Sequence, residues 1–306
     1  MRLTAGAYTD AGLRKRVNQD AFGARIVASG SYEAALLVAC DGVGGMSEGE
    51  LASGAVVCAF LDWFGAHMAE LVLGSLSEAD ILAQWQRLAR EVNACVYRCA
   101  RSKGARIGTT ATVLLATPER VMVMNVGDTR LYLADRERLT LLTKDHTLVQ
   151  REVDRGLLTP EAARTDRRRN ILVRCIGAEQ TVAPDYYTSA LRSGCVYLLC
   201  TDGLRNVLEP RELYEGVRPE RLEGGERASD LLRSLVETAK QRGERDNITA
   251  LLLHANGAPP PPERTVDLED TLKLCFSKVG VQEEAKTLWR DWREKQGVPW
   301  QRGAKL

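Results

Sequence analysis

Histidine is scarce: a chain of 306 residues has three, His67, His146 and His254, and none neighbours another in sequence. That argues against a transition-metal site built on imidazole. An excess of either charge is missing too, because 42 Lys and Arg stand against 41 Asp and Glu, for a formal net charge of +1. A chain whose whole surface binds nucleic acid or anionic membrane would be far more basic. Long apolar runs are also lacking. The stretches 34–40 and 55–61 are the longest, well short of the roughly 20 residues that span a bilayer. Residues 1–20 hold no apolar segment of the kind that directs secretion. No Cys-x-x-C pair occurs among the eight cysteines, and Cys40, Cys58, Cys195 and Cys200 lie in or beside apolar stretches. Buried, reduced thiols and a cytoplasmic location are the expectation. At 44% hydrophobic, the chain is too apolar for intrinsic disorder and long enough for a large core.

What is present is organised. Apolar stretches rich in branched residues at 34–40, 112–116, 121–126, 131–134, 196–200 and 248–253 read as strands. Segments 48–68, 81–101 and 229–242 carry apolar residues at helical spacing, such as Ile81, Trp85, Leu88, Val92 and Val96. The short turns within 112–134 require antiparallel neighbours, because a parallel crossover takes a dozen or more residues. Long helices beside antiparallel strands argue for an α+β domain of stacked layers. Composition shifts at Gly257, and prolines 259–262 favour a stiff spacer. The expected division is a domain over 1–256, a Pro-rich linker over 257–265 and a helical C-terminal tail over 266–306. That tail reads as two short helices, 268–278 and 281–296, and holds Trp289, Trp292 and Trp300.

The acidic residues have a distinctive placement. Asp41, Asp128 and Asp202 each stand where an apolar strand stops beside a glycine, Asp246 opens the stretch 248–253, and Asp20 precedes a shorter apolar stretch. A lone Asp-Gly is usually a turn-former. Several at the ends of long strands could converge at one edge of the sheets. A carboxylate there is costly to desolvate unless it meets a cation or hydrogen bonds. Carboxylates without His or Cys suit Mg²⁺, Mn²⁺ or Ca²⁺ rather than zinc, and a two-metal site is the natural hypothesis.

The motifs also fall in a telling order: Asp10-x-Gly12 with Asn18-Gln19-Asp20, Asp41-Gly42-Val43-Gly44-Gly45, Gly108-Thr109-Thr110, Val126-Gly127-Asp128-Thr129-Arg130, Thr201-Asp202-Gly203 and Asp246-Asn247-Ile248-Thr249. Over residues 4–254 this resembles the metal-dependent protein serine/threonine phosphatases, the PPM or type 2C family, in its bacterial form. The resemblance implies a four-layer α/β/β/α sandwich, two antiparallel sheets flanked by helices. It implies hydrolysis of phosphoserine and phosphothreonine in proteins, a cognate Ser/Thr kinase among the partners, and Mn²⁺ or Mg²⁺ as cofactor. Asp41 would bridge two ions, the Gly42 carbonyl would bind one, Asp202 and Asp246 would complete the other, and Asp20 would hold metal-bound waters. Asp128 matches the Asp linked to a third, weaker metal.

Two positions depart from the family's pattern. Lys15 stands where an Arg usually grips the substrate phosphate, with Arg14 and Arg16 on either side as alternative clamps; Lys supplies charge without the planar fork. Val43 stands where many eukaryotic members have a His.

Segment 144–174 would be the family's flap, with His146 and the basic residues Arg164, Arg167, Arg168, Arg169 and Arg174. Such a run is most often a solvated face; otherwise it helps receive an acidic substrate. It has no interleaved aromatics, against nucleic-acid binding. Two rival readings remain: a non-catalytic scaffold on the same fold, and a nucleotide-binding protein using the Gly-rich loop 42–45. The second lacks both G-x-G-x-x-G and the Walker lysine. The tryptophan-bearing tail would pack on its own domain or dock a partner.

Overall fold

The computed structural model describes residues 1–44, 48–257 and 272–297. Strands β1 (Arg2–Asp10), β2 (Ala21–Ser29), β3 (Tyr32–Cys40) and β4 (Gly42–Gly44) lead into helices α1 (Gly49–Leu73) and α2 (Glu78–Ser102). Then come β5 (Ile107–Thr109), β6 (Ala111–Ala116), β7 (Arg120–Val126), β8 (Arg130–Ala134) and β9 (Leu139–Leu141). Two short helices, α3 (Leu148–Asp154) and α4 (Pro160–Thr165), precede β10 (Asp185–Ala190) and β11 (Cys195–Cys200). Four more follow, α5 (Asp202–Arg205), α6 (Pro210–Val217), α7 (Pro219–Glu223) and α8 (Ala228–Gln241), before β12 (Ile248–Asn256), β13 (Lys273–Gly280) and α9 (Glu283–Lys295).

The strands form two large antiparallel sheets, ordered β1-β12-β11-β8-β9 and β10-β7-β6-β3-β2-β13. Strand period decides what each face meets. In β3, Ala35, Leu37 and Ala39 point between the sheets, where Leu131, Leu199, Leu251 and Leu253 of the other sheet meet them. Leu36, Val38 and Cys40 point the other way, onto Val56, Phe60, Trp85 and Val92 of α1 and α2. On the opposite outer face, Leu198 and Leu252 pack against Leu213 of α6 and Leu232 and Val236 of α8. The layers are therefore helix, sheet, sheet, helix, as the resemblance implied. A strand covered on both sides needs apolar residues on both faces, which is why β3 carries the apolar run 34–40 and β12 the run 250–253.

Helix α1 is long and apolar enough to cross a membrane by length and composition alone. It packs instead against β2, β3, α2 and α9, and a helix apolar all round suits that enclosure.

The C-terminal segment departs from expectation. Residues 273–278, expected to close a helix over 268–278, belong instead to the strand β13, paired antiparallel with β2 at the edge of the second sheet. The β2 edge offers unpaired backbone groups that a strand satisfies and a helix would not. Leu274 and Phe276 alternate inward while Lys273, Cys275 and Ser277 are exposed. Helix α9 then lies on α1. Trp289 is fully buried there and donates its Nε1–H to Asp62 Oδ2 at 2.9 Å. Gly54 makes the approach possible: a Cβ on it would stand 2.4 Å from the Ala285 Cβ. Trp292 packs against the same core, with the Arg98 guanidinium 5.0 Å from its ring. The fold thus continues past residue 256. Residues 258–265 of the expected linker, and Trp300, lie outside the described residues.

Candidate active site

Strand register brings the acidic residues to one end of the sandwich. Ala21 faces Cys40, Ala39 faces Thr112, and Ala111 faces Val126, so the start of β2 and the ends of β3 and β7 coincide. In the other sheet Cys200 faces both Arg130 and Ala250, while Ile248 faces Asp10. Asp20, Asp41, Asp128, Asp202 and Asp246 flank these strand ends. Across the sheets, the Thr201 hydroxyl donates to Asp20 Oδ2 at 3.0 Å.

A threonine and asparagine framework holds this edge. The Asp41 N–H donates to Thr110 Oγ1 (2.8 Å), and the Asp41 carbonyl accepts from Thr109 Oγ1 (2.9 Å). Thr249 N–H donates to Thr201 Oγ1 (2.9 Å), and Thr249 and Thr9 share a hydroxyl contact of 2.7 Å. Asn247 fixes the loop 11–19: its Oδ1 accepts from the Gln19 N–H at 2.9 Å and its Nδ2 donates to the carbonyls of Ala11 and Val17. Gly12 in that loop, at φ +71°, passes so close to the segment before β12 that a Cβ would sit 2.0 Å from the Asp246 carbonyl oxygen. Gly42 is equally confined, because a Cβ there would lie 2.4 Å from the Gln19 carbonyl oxygen. Gly42 and Gly44 are spent on the strand pair β4–β5, and Gly45 lies outside the described residues. Gly42 packs against protein, and the backbone of Gly42 and Gly44 is taken up by a strand ladder rather than an open phosphate loop.

The edge is short of positive charge. Desolvation, then Asp20 and Asp202, push the Asp41 carboxyl well above its ordinary range. Burial pushes Asp20 up to about 7, against hydrogen bonds from Thr249 and Thr201. Asp20 Oδ1 and Asp202 Oδ1 are buried without a hydrogen-bond partner, a costly state for carboxylate oxygens. Such orphaned hard donors fit a divalent oxygen-loving cation. No three His, Cys, Asp or Glu among the described residues close into a ligand set by themselves, so a cation here would also draw on carbonyl oxygen and water, as Mg²⁺ habitually does.

Of the three basic candidates, the structure brings in one. Lys15 Nζ lies 2.9 Å from Asp246 Oδ1, with both side chains partly exposed. Burial draws the Lys15 ammonium down, but Asp246, Asp41 and Asp202 outweigh it and raise it above its ordinary value. Arg14 and Arg16 are exposed, and their side chains show no hydrogen bond or ion pair with a described residue. The flap's basic run is largely neutralised: Arg164 pairs with Glu209, Arg168 with Glu152 and Asp166, and Arg174 with Asp185.

Sequence reasoning missed the partners of Asp128. Arg205 Nη2 donates to Asp128 Oδ2 at 2.7 Å and lies 3.9 Å from Asp145 Oδ2. Arg130 grips Asp145 through both nitrogens, at 2.9 and 2.8 Å. His146 is tied in next to them. Gly127 N–H donates to its Nδ1 (3.0 Å), and its Nε2 lies 3.1 Å from Asp185 Oδ2 and 3.0 Å from Arg174 Nη1. Burial lowers the ring's pKa. A cavity of about 520 Å³, lined among others by Asp135, Arg136, Arg192 and Asn256, opens at the opposite end of the first sheet. Its charges pair with neighbours, Arg136 with Glu223 and Arg192 with Asp135, and we place the functional site at the carboxylate edge.

The family model for protein phosphatase 2C matches residues 13–252, which span this whole edge. The chain belongs to that family. The serine/threonine protein phosphatase PstP of Mycobacterium tuberculosis is 32% identical over 255 residues, 82% of this chain and 44% of PstP. The chain thus matches under half the length of that relative. The serine/threonine phosphatase stp of Listeria innocua is 30% identical over 251 residues, covering 81% of this chain and 94% of stp. The crystal structure of the PstP catalytic domain in complex with two manganese ions superposes with a TM-score of 0.65 at 29% identity. It covers 83% of this chain and 99% of that one. The segment carrying β13 and α9 lies beyond the residues that the family model matches.

Proposed function

We propose that the chain hydrolyses phosphoserine and phosphothreonine in proteins, with two Mn²⁺ or Mg²⁺ ions held at the carboxylate edge. The observation that carries this reading is the gathering of Asp20, Asp41, Asp202 and Asp246 from separate segments at one edge, with buried carboxylate oxygens left unpaired. The family and the manganese-bound PstP domain support it. Asp41 and the Gly42 carbonyl would hold one ion, and Asp41, Asp202 and Asp246 the other, with Asp20 anchoring water. When bound, the two cations supply an acidified water and neutralise the phosphoryl oxygens.

The protein's own residues do the rest. Thr201 and Thr249 fix Asp20, and Asn247 fixes the loop that carries Lys15. Lys15 is the cation within reach of a substrate phosphate at this edge. On the flap, Arg167 and Arg169 have no ion pair with a described residue and are free to meet an acidic substrate segment. The scaffold reading finds no support, since every acidic residue it would require to be lost is present. Phosphorylated proteins, including a cognate Ser/Thr kinase, are the proposed partners. A cytoplasmic setting is proposed on the free state of all eight cysteines. The C-terminal segment is read as part of the fold, because Trp289 and Trp292 are taken up by it. The test is phosphate release from a phosphothreonine peptide with Mn²⁺ and then with excess EDTA. Inactivity with Mn²⁺, or activity untouched by EDTA, would refute the reading.

A further inference from the structure

We propose that Arg205 is the resident cation of Asp128, so that this chain binds divalent ions at two positions and none at Asp128. The inference rests on the reading of the edge as a divalent-metal site. Its own evidence is the charge quartet behind that edge. Asp128, Arg205, Asp145 and Arg130 alternate in sign and sum to zero. The Arg205–Asp128 contact is 2.7 Å, with side-chain exposures of 9% and 6%. Asp145, at 8%, is held by both arginines.

A guanidinium cannot give up its proton to make way for a metal. We take the pair as ionised, because the short contact to a permanently charged group decides it.

A cation arriving at Asp128 would meet a fixed positive charge at hydrogen-bond distance, in a place where little water screens it. It would also have to break a buried pair whose loss strands a guanidinium. Asp20 and Asp202 stand differently, since each has a buried oxygen with no partner at all. The sequence places Arg205 one helical turn after Asp202, on α5. The same short helix therefore sets a proposed metal ligand at its start and a built-in countercharge at its end. Arg205 acts through Asp128 and is a positioning residue, not a catalytic one.

The experiment is equilibrium dialysis of the full chain against millimolar Mn²⁺, with bound metal counted by atomic emission and folding checked by circular dichroism. Two ions per chain are expected for the wild type and for Arg205→Lys. Three are expected for Arg205→Ser, falling back to two when Asp128→Asn is added. A wild type that binds three ions and loses one on Asp128→Asn would overturn the inference, as would a folded Arg205→Ser that still binds two. If Arg205→Ser does not fold, Asp128→Asn alone decides: retention of two ions supports the proposal and loss of one refutes it. No bound Mn²⁺ in the wild type would instead sink the metal-site reading beneath it.

Discussion

Replacing Trp289 by Ala should cost about 5 kcal/mol of stability, the sum of two losses. The indole is fully buried between α9 and α1, and removing a buried Trp side chain costs about 4 kcal/mol in lost transfer and cavity formation. Its Nε1–H is also the donor to Asp62 Oδ2 at 2.9 Å, and orphaning that partly buried acceptor adds about 1 kcal/mol. For a domain of this size the melting temperature should fall by roughly 10–15 °C. The assay is a thermal melt followed by circular dichroism, at saturating Mn²⁺ so that the carboxylate edge stays in one state. The turnover of a small phosphate ester at low temperature should stay near wild type, since Trp289 is buried in the core beside α1 with its Nε1–H on Asp62. A fall of less than about 3 °C would mean that α9 is not packed on α1 in solution. The reasoning about β13 and α9 would then fail with it.

Two further perturbations test separate parts of the account. Burial pushes Asp62 up to about 6 from 3.8, opposed by the Trp289 hydrogen bond and Arg293. The folded state therefore binds this proton more tightly than the unfolded chain. Its contribution is fully present below about pH 4 and is lost as pH rises to about 6. Asp62→Asn keeps the acceptor oxygen and removes the charge, so the variant should gain on wild type across that window, by at most about 3 kcal/mol; denaturation curves that stay parallel from pH 4 to 6 would contradict this. Lys15→Ala should raise KM for a phosphopeptide about tenfold, worth about 1.4 kcal/mol, with Lys15→Arg restoring most of it. Steady-state kinetics in which Arg14→Ala or Arg16→Ala matches that loss would transfer the role to them.

Much of this architecture is legible in the chain because two-sided burial leaves a strong trace. β3, β6, β11 and β12 are enclosed on both faces, so each carries an apolar run, at 34–40, 113–116, 195–200 and 250–253, that stops at a polar residue. The same abruptness exposes Asp41 and Asp202 as edge residues before any coordinates are known. β2 is harder to see, since Gly23 and Arg25 interrupt it; a Cβ at Gly23 would lie 2.9 Å from the Leu61 side chain, so packing demands the gap. β10 is a half-exposed edge strand with no apolar run. The start of β13, 273–278, reads as helix in the sequence because its only strong cue is the open edge of β2, some 250 residues earlier in the chain. The Asp128–Arg205–Asp145–Arg130 quartet is invisible for a similar reason. Its members come from the start of β8 and the turn before it, the segment after β9 and the end of α5, and an Arg at the end of a short helix signals nothing about a carboxylate 77 positions away.

The most direct test of the central claim is phosphate release from a phosphothreonine peptide by the wild type and by Asp202→Ala, each with Mn²⁺ and each with EDTA. Asp202 lies at the edge with one carboxylate oxygen buried and unpaired. The account predicts Mn²⁺-dependent turnover in the wild type, abolished by EDTA. It predicts a loss of at least about a hundredfold in Asp202→Ala, in a protein whose circular dichroism is unchanged. Turnover that persists in EDTA, or that survives Asp202→Ala in the folded protein, would contradict it.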